Sequence, residues 1–115
     1  MQDMLSRIPL CPHSSVNDIS KSLVLSLERL EKETQQTLLF TSGLRCNECN
    51  ARAGGATNSA HTRGKAVDIS VTTSGMRYWI ILNALLQGFR RIGIGHNIIH
   101  LDVDYTLPQH VTWLY

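Results

Sequence analysis

The sequence predicts an α+β fold on a single domain, with a mostly antiparallel sheet and two main helices. Three observations carry this. The chain runs through a helix, strands, a second helix and more strands in sequence. Its longest apolar periodicity is helical, whereas the other apolar runs are short and β-prone. Its composition, 43% apolar and 17% charged over 115 residues, suits one core and not two.

Residues 1–14 read as an irregular lead-in, with Pro9, Pro12 and Ser14 near its end. Ser15 and Asp18 resemble a capping pair, and Ile19, Leu23, Leu27 and Leu30 recur at helical spacing, so an amphipathic helix is expected from about Val16 to about Thr34. Thr37 to Thr41 is short, apolar and β-prone, a strand broken by Ser42-Gly43. Residues 43–64 are largely polar or small, with Gly54-Gly55 inside, and read as a long loop, either functional or disordered. Lys65 to Val71 reads as a second strand. Thr73 or Ser74 then caps a second helix, about Gly75 to Leu86, which Gly88 closes; its Trp79 is expected in the core. Arg91 to Gly95 and Ile98 to Val103 form a strand pair around His96-Asn97, and Val111 to Tyr115 suits an edge strand.

The formal charge of +2, without a Lys/Arg-rich run, argues against a nucleic-acid partner and is compatible with an anionic polymer. No apolar run is long enough to span a membrane. Met1 to Cys11 carries Asp3 and Arg7 and no apolar h-region, so a secretory signal is not expected; the protein would stay cytoplasmic until released by lysis or another route. Three cysteines, Cys11, Cys46 and Cys49, do not make a disulfide framework. With His13 they hold the donors of a structural zinc site. However, a CxxC is common and Cys11-x-His13 is a poor partner for it, so ordinary small residues near a loop are the expectation.

The chemistry concentrates in Ser59-Ala60-His61-Thr62-Arg63-Gly64-Lys65-Ala66-Val67-Asp68, with His100 and Asp102 downstream. A catalytic zinc takes three His, Cys or carboxylate ligands and keeps a position for water. His61, Asp68 and His100 supply such a set, and antiparallel pairing would set Asp68 beside His100. A buried Asp68 needs a partner: a metal, Arg63 or Arg45. His13 and His110 are not expected at this site, and Trp113 either lines a groove or caps the sheet.

The pattern Ser59-x-His61-x-x-Gly64-x-Ala66-x-Asp68 resembles the zinc signature of the M15 D-alanyl-D-alanine peptidases, a family of wall carboxypeptidases and phage-lysin peptidoglycan endopeptidases. Thr41-Ser42-Gly43-Leu44-Arg45-Cys46 is similar to that family's Ser-Gly-Tyr-Arg segment, with Leu44 in place of the tyrosine. Asn50 to Ser59, with Gly54-Gly55-Ala56 and Asn58-Ser59, resembles its glycine-containing stretch, and Gly93-Ile94-Gly95 and His100-Leu101-Asp102 resemble its closing elements. The likeness runs in order from about Thr41 to Asp102.

The resemblance implies a hedgehog/DD-peptidase-like fold, one zinc ion held by His61, Asp68 and His100, and a monomer that cleaves the peptidoglycan stem peptide. Arg45 and Ser59 would meet the substrate, Arg45 holding a carboxylate or an oxyanion. The proton carrier is open. Asn97 occupies the position, three before the last ligand, where many members carry a carboxylate, and an amide cannot serve. Asp102 is favoured because His-x-Asp belongs to the resemblance; His96 is the alternative, and Asp102 could instead orient His100. Asp104 is expected in solvent. A non-catalytic zinc-containing wall binder or virion structural protein of the same fold is the second functional expectation.

Overall fold

The computed structural model of the protein describes residues 3–56 and 59–115. A five-stranded sheet carries the fold. In chain order its strands are β1 (Phe40–Ser42), β2 (Ala66–Ser70), β3 (Arg91–Ile94), β4 (Ile98–Asp102) and β5 (Val111–Leu114), arranged β1-β2-β4-β3-β5. Every pairing is antiparallel except β3 with β5. The helices are α1 (Met4–Arg7), α2 (Lys21–Thr34), α3 (Asn47–Arg52) and α4 (Ser74–Leu86). Among the described residues no helix is long and apolar enough to cross a membrane.

Strand alternation divides the sheet into two faces. Val67, Ile69, Ile99 and Leu101 point to one side and join Leu23, Leu27 and Leu30 of α2 and Ile80 and Ala84 of α4 in one buried cluster. The intervening residues, Asp68 on β2 and His100 and Asp102 on β4, point to the side without that helical layer. The residues that build the core thus also fix which side chains are left to converge opposite it.

Several elements begin elsewhere than the sequence suggests. Ser15 caps only a 3₁₀ turn, Val16–Asp18, and the long helix starts five residues later, capped by Ser20. The intervening backbone is committed elsewhere, because the Ser20 amide donates to the Gly64 carbonyl at 2.8 Å. The lead-in contains one helical turn, α1, capped by Asp3, and sends Met4 and Ile8 into the core. The first strand starts at Phe40, not Thr37. The Leu38 carbonyl accepts from Arg7 Nη2 at 2.7 Å and the Leu38 amide donates to Glu31 Oε2 at 2.8 Å, which removes both groups from the ladder. The expected loop 43–64 contains α3 and a 3₁₀ turn, Ala60–Arg63. Trp79, expected in the core, is half exposed on α4.

The Arg7–Glu31 pair is bidentate, at 2.8 and 2.6 Å, and ties α1 and α2 to the entry of β1. Glu31→Ala is expected to cost about 2 kcal/mol in a denaturant titration, since it strands a charged donor and the Leu38 amide. Arg7 holds the Glu31 carboxyl below its ordinary 4.5, against burial, which raises it. This contribution is therefore complete above that value and is lost as the pH falls through the lowered folded one.

Candidate metal centre

His61 rides on the 3₁₀ turn Ala60–Arg63, and Ser59 makes that turn. Its hydroxyl accepts from the His61 amide at 3.2 Å and its carbonyl accepts from the Thr62 hydroxyl at 2.6 Å. Gly64 ends the turn with φ +68°, and a Cβ there would clash with the Asp18 carbonyl oxygen, so both conformation and space demand glycine. The His61 ring is buried, and its Nδ1–H donates to the Gly43 carbonyl at 2.7 Å. That bond leaves Nε2 as the free lone pair.

Asp68 and His100 are register partners across β2 and β4. Asp68 Oδ1 lies 3.3 Å from His61 Nε2 and 3.2 Å from His100 Nδ1. Donors bound tetrahedrally at zinc's usual nitrogen and oxygen distances stand about 3.3 Å apart. Two of the three donor pairs therefore already stand at that separation, and all three donors lie within 4.8 Å of one another. Burial raises the Asp68 carboxyl, but hydrogen bonds from His100 and His61, which these rings can donate to it only when protonated, outweigh it and hold the group well below the usual carboxylate range. Burial lowers the His100 imidazole, whereas Asp102 and Asp68 more than reverse this and raise it.

Behind His100, Nε2–H donates to Asp102 Oδ2 at 2.7 Å, and this contact fixes which ring nitrogen faces Asp68. The Asp102 carboxylate, 1% exposed, also accepts from Arg91 Nε at 2.9 and 3.1 Å and from the Asp104 amide at 3.2 Å. It sits on the far side of the ring from the three converging donors. His96 is exposed in the β3–β4 turn, and its carbonyl accepts from Arg77. The strand face shared by 98, 100 and 102 does not reach back to it, because β4 begins at Ile98. Asp104, expected in solvent, is fully buried and paired with Arg63 Nε. Arg63 is thus a partner of Asp104.

A cleft of about 430 Å³ opens over the cluster, walled by Arg45, Gly54, Ser59, Trp113 and Tyr115 among others. Arg45 is placed by its amide, which donates to the His61 carbonyl at 3.1 Å, and its Nε is buried with no partner among the described residues. Asn50 holds the glycine loop, its Nδ2 donating to the Ala56 carbonyl at 2.8 Å. Asn58 of the same sequence stretch lies outside the described residues. Trp113 lies flat over Gly93, where a Cβ would come within 2.7 Å of the ring, and its indole is 5.2 Å from the His100 ring centroid.

Arg91 and Tyr115 are site residues that the motifs did not single out. A signal for Arg91 existed: a hairpin folded about His96-Asn97 sets Arg91 opposite Asp102 and Gly93 opposite His100, as observed. Tyr115 depends on β5 lying parallel to β3, and nothing local announces that pairing. Tyr115 is largely exposed, but partial desolvation beside the cleft raises its phenol above its ordinary value, and the charge of Asp68 adds to the shift.

Two imidazoles and a carboxylate at metal-donor spacing, beside an arginine whose Nε has no partner among the described residues, form a candidate metal centre on an α+β scaffold, the kind of site that metal-dependent hydrolases use. The chain belongs to the peptidase M15 family: the family model described as Peptidase M15 matches residues 7–102. No curated protein matches it.

Proposed function

We propose that the protein is a zinc-dependent peptidase that hydrolyses peptide bonds in bacterial peptidoglycan. The observation that carries the reading is the spacing of His61 Nε2, Asp68 Oδ1 and His100 Nδ1 at 3.2 and 3.3 Å on the floor of a cleft. A zinc ion held there would polarise the scissile carbonyl and bring a bound water into ionisation range. The chain's own groups do the rest. Gly43 and Asp102 each occupy the second nitrogen of a ligand imidazole, which fixes ring orientation before any metal arrives. Arg45, whose buried Nε has no partner among the described residues, lines the cleft where its guanidinium would meet a substrate carboxylate or the developing oxyanion. Tyr115 adds a phenol hydroxyl to the cleft lining. Asp102 acts through His100 as a positioning residue.

The choice of peptidoglycan rests on the ordered likeness from Thr41 to Asp102 and on a cleft whose arginines suit an anionic stem peptide. A monomeric lysin that reaches the wall on release from the cell belongs to the same proposal.

The second reading, a zinc-containing wall-peptide binder or virion structural protein that does not cleave, has one observation in its favour. Among the described lining residues Asp68 is the sole carboxylate, so none stands apart from the ligand set as a base. Mass spectrometry of muropeptides separates the two readings. Zinc-loaded protein is expected to release new amino groups from purified peptidoglycan, to stop on chelation and to resume when zinc is returned. Fragment masses then distinguish loss of a terminal D-Ala from a cut cross-link. Peptidoglycan that is bound but uncut by zinc-loaded protein would sink the enzyme reading.

A further inference from the structure

We propose that Cys11, His13, Cys46 and Cys49 form a second metal site, a structural Cys3His centre of the kind that holds zinc. The spacing of Cys11-x-His13 weighs against such a site in the sequence, but the fold overrides it. A parallel bridge joins Leu10 to Leu44, with the Cys11 amide donating to the Leu44 carbonyl and the Leu44 amide to the Pro9 carbonyl, both at 2.9 Å. That bridge lays the lead-in against the start of α3 and brings the four donor atoms within 4.8 Å of one another.

Two of the donor pairs stand at coordination-shell distances. His13 Nδ1 stands 3.7 Å from Cys46 Sγ and 3.6 Å from Cys49 Sγ. A tetrahedral zinc with ordinary zinc–sulfur and zinc–nitrogen bonds sets sulfur and nitrogen ligands about 3.6 Å apart. The sulfurs are also supported as metal-bound thiolates are, by backbone donors: the Cys46 amide reaches Cys11 Sγ at 3.3 Å and the Cys49 amide reaches Cys46 Sγ at 3.4 Å. A disulfide would use two of the sulfurs and leave the third thiol and the imidazole unexplained.

The two segments have a physical need for such a link. From Leu10 to Ser15 no residue is buried, and Asn50 is the sole buried residue of α3. Neither segment has the apolar contact that anchors α2 or α4, and a metal would supply the missing attachment. On binding, the thiols release their protons to solvent, so no oxidant or reductant is required. The site shares no residue with the His61–Asp68–His100 cluster, and its sulfur-rich set is softer. It nevertheless braces Arg45, which directly precedes Cys46 in the chain.

Cobalt substitution and metal analysis of the whole protein test the site. Cobalt-loaded protein is expected to show an intense sulfur-to-cobalt charge-transfer band that His61→Ala leaves in place and Cys49→Ser abolishes. Zinc analysis is expected to give a second metal per chain that survives His61→Ala. Because Cys49→Ser could fail to fold, thiol titration of the unaltered protein provides an independent readout: the cysteines should resist a thiol reagent when zinc is bound and react once it is chelated. A folded, zinc-loaded protein with freely reactive thiols and no charge-transfer band would overturn the proposal. Formation of a Cys46–Cys49 disulfide without metal would overturn it equally. Failure of the catalytic reading would show as loss of the His61-dependent metal only.

Discussion

Asp68→Asn is expected to empty the His61–His100 site of metal and to lower peptidase activity by about a thousandfold or more, because several kcal/mol of charge stabilisation go with the ion. The carboxylate is the one anionic donor of the three, and both imidazoles converge on its Oδ1. An amide keeps the shape but removes the charge that holds a dication and offsets the burial of two rings. The readouts are zinc content after dialysis and release of amino groups from peptidoglycan. A variant with full zinc content and activity would remove Asp68 from the ligand set. The same cluster sets a pH dependence for the unaltered protein. Asp102 and Asp68 raise His100 despite its burial, so a proton competes for Nδ1 until the pH exceeds that raised value. Zinc affinity is therefore expected to climb with pH through this range and then level off, as a zinc titration at several pH values would show.

The convergence on Asp68 was legible because two strands announced themselves. Val67 and Ile69 on one, Ile99 and Leu101 on the other, alternate with Asp68 and His100, and alternation places the two polar side chains together on the opposite face. His61 was legible only through its surrounding motif, since its turn is made by a serine hydroxyl and a left-handed glycine and carries no apolar period. Helix α3 lacked any such signal: its cap is the Cys46 thiol, outside the usual set of capping residues. The start of α2 was displaced by two competing serine caps, Ser15 and Ser20, and only the long-range bond from Ser20 to Gly64 decides between them. Asp104 read as solvated because its partner Arg63 lies far back in the chain and reaches it only once the 3₁₀ turn has formed. The cysteine cluster likewise depends on the bridge of Leu10 to Leu44, a contact between segments with no shared periodicity. What stayed hidden was thus set by single long-range contacts, whereas the visible part was set by repeating patterns.

Asp102→Asn is expected to weaken zinc binding by about 10- to 100-fold, the usual cost of losing a carboxylate behind a ligand histidine. It should also destabilise the fold by about 3 kcal/mol, because Arg91 would keep its charge in a buried place without its counter-ion. The geometry gives both effects. One oxygen of the carboxylate accepts from His100 Nε2 at 2.7 Å, and both are within 3.1 Å of Arg91 Nε. The pair is closed further by Trp113, whose ring lies 5.0 Å from the Arg91 guanidinium carbon. The variant also separates the two roles open to this residue. A positioning residue acts through the affinity and orientation of His100, so raising the zinc concentration should recover most of the activity. A proton acceptor acts on the water itself, and saturating zinc would leave activity as low as before. Recovery is the expected result, since Asp102 reaches the cluster only through the imidazole and has no exposed edge toward the cleft. Persistent inactivity in a folded, fully zinc-loaded Asp102→Asn protein would return the proton to Asp102 and require the site to rearrange around substrate.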